Sequence, residues 1–138
     1  MQKFEYMKDL TFNDCIYLTE LPDVSGLQNL ENLSFENCNN LITIHNSIGH
    51  LNKLEILKGK CCLKLKNMPP LRLPSLKEFL LCGCRSLESF PELLCMMRHI
   101  EEIYLFGTSI GELPLSFQNL SELRDLTVWG NRTECHFL

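Results

Sequence analysis

The chain has no run of eighteen uncharged apolar residues, so it contains no segment able to cross a bilayer as a helix. Its first ten residues include Lys3, Glu5, Lys8 and Asp9 where a secretory leader would place its apolar segment, and no membrane or secretory address is expected from them. Cations are scarce as well. Lys plus Arg number 13 against 17 Asp plus Glu, for a net charge of -4, and without a cationic surplus little counterion release is available to drive binding to a polyanion. Nucleic acid is therefore not an expected partner. The G-x-x-x-x-G-K-[ST] loop that cradles nucleotide phosphates is missing, and so is the H-E-x-x-H pair of a zinc hydrolase. The eight cysteines form no C-x-x-C pair, and His45, His50, His99 and His136 are not spaced to join them around zinc. The acidic residues scatter instead of converging, so neither catalysis nor a metal or other cofactor is expected.

What the chain does have is a period. Leu10, Leu33, Leu57, Phe79, Ile103 and Leu126 follow one another at steps of 23, 24, 22, 24 and 23 residues. Three residues before these anchors stand Met7, Leu30, Leu54, Leu76, Ile100 and Leu123. Two residues after them stand Phe12, Phe35, Gly59, Leu81, Leu105 and Val128, where Gly59 alone is not bulky and apolar and is expected to be a weak point in the core. Five residues after them come Cys15, Cys38, Cys62, Cys84, Thr108 and Asn131. The string L-x-x-L-x-L-x-x-N/C is thus written six times, which is the pattern of leucine-rich repeats.

Alternation about each anchor places it and the residue two later on one face of a short extended segment. Six short parallel strands are therefore expected to stack at about 4.8 Å, apolar side chains inward and polar ones outward. The Cys, Thr or Asn ladder sits where the chain leaves the sheet, and its cysteines are expected to be buried, reduced thiols of structural use. Leu18 and Leu21, Leu41 and Ile44, Leu65 and Met68, and Leu87 and Phe90 fill the core from the return path, with Ile110 and Leu113 in a repeat one residue tighter. Pro22, Pro69, Pro91 and Pro114 rule out long helices in these returns. The fold class expected is an α/β repeat solenoid of about six repeats, a horseshoe segment with strands on its concave face and irregular or short helical returns on its convex face. Residues 1–138 form one repeat domain, expected to be a fragment of a larger array because neither end offers a polar cap. Open ends lined by Met7, Leu10 and Phe12, and by Leu123, Leu126 and Val128, are expected to make it a poor monomer alone.

Several stretches add a resemblance. Cys15-x-x-Leu18-x-x-Leu21-Pro22-Asp23-Val24-Ser25-Gly26-Leu27, Leu30-Glu31-Asn32-Leu33-Ser34-Phe35-Glu36-Asn37-Cys38, and Leu105-Phe106-Gly107-Thr108-Ser109-Ile110-Gly111-Glu112-Leu113-Pro114 resemble the repeat region of plant intracellular nucleotide-binding leucine-rich-repeat immune receptors, particularly those with an N-terminal TIR domain. The resemblance covers nearly the whole chain. It implies a protein-binding segment that senses a pathogen effector or a guarded host protein, contributes to holding the receptor's own nucleotide-binding module inactive, and works in the cytoplasm or nucleus. Nucleotide exchange and NAD cleavage do not carry over, since no residue here matches the motifs for them. The residues leave two alternatives open, a general cytosolic leucine-rich-repeat scaffold and an extracellular receptor segment. The second draws on the glycosylation sequons at Asn32, Asn119 and Asn131.

Outward positions along the repeats change character from one end to the other. Asp9, Thr11, Asn13, Asn32, Ser34 and Glu36 are polar or acidic, Lys58 and Lys60 are basic, and Leu80, Tyr104, Phe106 and Trp129 are apolar. The last four are expected either to form a contact patch, because clustered exposed aromatics mark interaction sites, or to be covered by a neighbouring repeat or a loop folding over the last strands. Lys58 and Lys60 are expected on the same face and to give a weak preference for an acidic partner, while Lys64 and Lys66 lie past the turn.

Overall fold

A computed structural model describes residues 4–128. Eight short strands appear in chain order: β1 Asp9–Thr11, β2 Glu20–Leu21, β3 Asn32–Ser34, β4 Thr43–Ile44, β5 Ile56–Lys58, β6 Glu78–Leu80, β7 Glu102–Tyr104 and β8 Asp125–Thr127. Six of them make one parallel sheet in the order β1-β3-β5-β6-β7-β8, and β2 and β4 pair on the return side. Six strands joined by returns make a solenoid of about five turns. The pairing is in register at every step: Leu10 faces Leu33, Leu33 faces Leu57, Leu57 faces Phe79, Phe79 faces Ile103, and Ile103 faces Leu126. The spacing of the anchors therefore sets the strand register directly.

Each turn closes on a core that the leucines fill from three sides. Leu33, Leu57, Phe79, Ile103, Leu30, Leu54, Leu21, Leu41, Leu65 and Leu87 are all buried in one cluster. At the first turn Met7, Leu10, Phe12 and Leu18 are only partly buried, having a stacked neighbour on one side, and at the last turn Val128 is buried while Leu126 is exposed. The returns stay irregular because proline denies them a helical ladder. Their helical content among the described residues is two 3-10 turns, Asn46–His50 and Leu115–Asn119. These turns place Ser47 and Ser116 so that their hydroxyl oxygens accept from the N–H groups of Val24 and Leu93 in the preceding returns, at 2.8 and 3.0 Å.

The expected weak point at Gly59 is filled from the turn before it. A methyl group on Gly59 would overlap the ring of Phe35, which is fully buried in the space that a bulky residue would have taken. One large and one absent side chain thus share a site sized for two medium ones, and the core keeps its density. The cysteine ladder also finds a use. The thiols of Cys38, Cys62 and Cys84 donate to the carbonyls of Phe12, Phe35 and Gly59, each in the preceding turn, at 3.1, 3.0 and 2.9 Å. Thr108 instead donates to Leu105 of its own turn at 2.7 Å, Cys15 is exposed, and Asn131 lies outside the described residues. Burial raises the Cys38 thiol to about 11, and a hydrogen bond with Cys84, followed by burial, drives Cys62 higher.

Gly59→Ala should destabilise the chain by about 2 kcal/mol, the usual cost of overpacking. Phe35→Leu in the same chain should return part of that loss, so urea midpoints of the single and double variants will be non-additive. Additive midpoints would separate the two residues. The thiols make a second expectation: under native conditions iodoacetamide should label Cys15 rapidly and leave Cys38, Cys62 and Cys84 unmodified until the chain unfolds, as read by peptide mass spectrometry.

Candidate functional site

Because the strands pair without offset, their outward residues fall into rows on the open face of the sheet. Asp9, Asn32, Ile56, Glu78, Glu102 and Asp125 form one row, and Thr11, Ser34, Lys58, Leu80, Tyr104 and Thr127 the next. A third row, from Glu36 through Lys60 and Cys82 to Phe106, is fixed by the residues four after each anchor. Asp14, Asn37, Cys61, Gly83 and Gly107 all have positive φ, between 59° and 80°. The left-handed bend aims the N–H of Asp14, Asn37, Cys61 and Gly83 at the carbonyls of Glu36, Lys60, Cys82 and Phe106, at 2.8 to 3.0 Å, so the ladder continues past the strand ends. Asp, Asn and Gly tolerate this conformation best, and four of the five positions carry them. That pattern is present in the sequence, one residue before the Cys, Thr or Asn ladder.

Over β1, β3 and β5 the open face is polar and closely bonded. The amide oxygen of Asn13 accepts from the Ser34 hydroxyl at 2.6 Å and from the Glu36 N–H at 2.8 Å, while the Asn32 amide donates to the Asp9 carboxylate. The Glu36 carboxylate meets the Lys60 ammonium at 3.1 Å, with the two side chains 21% and 12% exposed. An ion pair this sheltered is screened far less by salt than one at the surface. Between these groups lies a shallow pocket of about 410 Å³, lined by Asp9, Thr11, Asn13, Asn32, Ser34, Glu36, Ile56 and Lys58. Lys58 has no ion-pair partner among the described residues.

Over β6, β7 and β8 the face differs from the patch expected there. Leu80 and Phe106 do lie at the outward positions, but they are 3% and 2% exposed, and Phe106 forms with Cys82 a small buried cluster separate from the main core. Tyr104 and Cys61 pack against that cluster. Of the four apolar residues expected to offer contact area, Tyr104 keeps some surface, Leu80 and Phe106 offer almost none, and Trp129 lies outside the described residues. Reading a side chain as outward does not decide whether it is exposed. Burial raises the Cys82 thiol to about 11.

Beside this cluster the Glu78, Glu102 and Asp125 carboxylates occupy adjacent strands of one row. Burial first, then Glu78 and Asp125, raise the Glu102 carboxyl above its ordinary value, and burial followed by Glu102, Asp125 and Glu78 raises the Tyr104 phenol. The pentapeptide Gly107-Thr108-Ser109-Ile110-Gly111 has the spacing of a hydrolase nucleophile elbow, which needs a strand before the serine and a helix after it. No helix follows here, and the Ser109 hydroxyl donates to the Arg85 carbonyl as a tie between turns. Among the described residues no three His, Cys, Asp or Glu side chains gather where they could hold a metal ion, and no helix is long and apolar enough to cross a membrane. Glu102→Gln gives a test of the acidic row. A raised carboxyl pKa favours the folded state at low pH and penalises it once pH rises through the folded value. The substitution should therefore raise the unfolding midpoint at pH 7, by about 0.5 kcal/mol or less given solvent screening, and leave it unchanged near pH 3.5.

No family model matches the chain, and no solved structure matches it significantly. Curated proteins do. Disease resistance protein RPP2A of Arabidopsis thaliana is 37% identical over 123 residues, which is 88% of this chain and 9% of that protein. TMV resistance protein N of Nicotiana glutinosa is 36% identical over 113 residues, 81% of this chain and 10% of that protein. Disease resistance protein RPP5 of Arabidopsis thaliana is 35% identical over 113 residues, 81% of this chain and 8% of that protein. The chain spans about a tenth of the length of these relatives. It is a leucine-rich-repeat solenoid, and over most of its length its sequence is similar to TIR-type nucleotide-binding disease-resistance proteins of plants.

Proposed function

We propose that the chain is a non-enzymatic protein-recognition segment of a plant immune receptor. In this reading its open sheet face contacts a pathogen effector or a guarded host protein and, at rest, helps hold the receptor's nucleotide-binding module inactive, in the cytoplasm or nucleus. The observation that carries the reading is the match over most of the chain to proteins named for disease resistance. The physics of the face supports it. Backbone groups there are consumed by the ladder, while side chains of varied charge stand in register on a rigid sheet, which suits recognition of another protein's surface.

The test is made in the full-length receptor that contains this segment, expressed in leaves and scored for cell death with and without the pathogen. Ser34→Arg and Lys58→Glu, both on the open face, should abolish the response or make it constitutive. Lys64→Glu and Lys66→Glu, past the turn and exposed, should leave it intact. Equal effects from both pairs would remove the open face from the mechanism.

A further inference from the structure

The pocket over β1, β3 and β5 holds two charges whose surroundings differ from the rest of the face. Glu36 is neutralised by Lys60, and the Asn13, Asn32 and Ser34 side chains spend hydrogen bonds within the pocket. What remains to attract a partner is the Asp9 carboxylate at one end and the Lys58 ammonium at the other. Asp9 keeps acceptor capacity beyond its one bond to Asn32, and Lys58 has no ion-pair partner among the described residues. Both line the same cavity of about 410 Å³.

Their separation follows from the sheet. Two strand spacings across and two residues along place the two backbones about 12 Å apart on a diagonal. An extended peptide brings side chains four residues apart to the same face at about 13 Å. We infer that this pocket recognises an extended protein segment carrying a basic and an acidic residue four positions apart, the base against Asp9 and the acid against Lys58. The residue midway between them lies over Asn32 and Ser34, with Thr11 and Ile56 to either side. The segment can run in either direction, since only the side-chain charges are read. The inference deepens the recognition reading and rests on it.

The experiment titrates the isotope-labelled full chain with four five-residue peptides of the form X-Ala-Thr-Ala-Z, both ends blocked, in which X and Z are Lys and Glu, Glu and Lys, Lys and Lys, or Glu and Glu. Amide shifts at Asn13, Asn32 and Ser34 are followed by nuclear magnetic resonance. The unaltered chain should bind a mixed peptide about fivefold more tightly than either like-charged one, a preference in keeping with exposed charge pairs. Lys58→Glu should turn the preference to the Lys and Lys peptide, and Asp9→Lys to the Glu and Glu peptide. Asp9→Asn, which keeps an acceptor for Asn32, should erase the advantage of the mixed peptides over the Glu and Glu one. Lys64→Glu changes net charge by the same amount as Lys58→Glu and should shift nothing. Binding indifferent to charge, a preference that moves equally with Lys64→Glu, or no shift at the three amides would overturn the assignment. The cell-death assay above reads the recognition role separately, so a failure there is distinct from a failure here.

Discussion

A thiol reaching back to the carbonyl of the previous turn recurs through the middle of this molecule, and the parallel ladder beside it depends on the same stacking. Cys38, Cys62 and Cys84 bond to Phe12, Phe35 and Gly59, and the N–H groups of Phe12, Phe35 and Gly59 bond forward to Ser34, Lys58 and Leu80. Each turn is therefore tied both ways at the point where the strand ends. A thiol suits the place because it is small, apolar enough to be buried, and still a weak donor to a backbone carbonyl. Burial raises the Cys38 thiol, and a hydrogen bond with Cys84 followed by burial raises Cys62, so neither readily becomes the reactive thiolate.

On that frame the open face divides its labour. Over β1, β3 and β5 polar side chains bond one another and leave a charge at each end of a pocket. Over β6, β7 and β8 apolar side chains are buried beside a row of acids, where burial first and then the neighbouring carboxylates raise Glu102. The first region carries a definite charge pattern on its surface, and the second is apolar and largely covered. Recognition by such a surface comes from where charges stand in relation to one another more than from apolar area.

The fold was legible because its signal is a count. Anchors at Leu10, Leu33, Leu57, Phe79, Ile103 and Leu126 predict the strand register, and all six strands pair at those residues. The prolines explained why the returns hold two 3-10 turns and no longer helix among the described residues. The site was legible only in part. Outward positions can be assigned by alternation, but the exposure of Leu80 and Phe106 depends on how neighbouring rows pack, which no single-strand pattern carries. The Gly59 gap looked like a loss because its complement, Phe35, sits a full turn earlier. Positive φ at Asp14, Asn37, Cys61, Gly83 and Gly107 was readable from residue type at four of the five places, while Cys61 carries no such sign.

The fit of Phe35 over Gly59 makes these turns unequal in a way their shared spacing conceals. Repeat genes grow and shrink by unequal exchange, which assumes that one unit can replace another. Here the ring of Phe35 fills its own place and that of Gly59, so a bulky residue at position 59 would run into it, and loss of the ring would open a void beside the glycine. The turns that carry Phe35 and Gly59 are fitted to each other, and neither can be exchanged for a copy of the other without unbalancing the core between them.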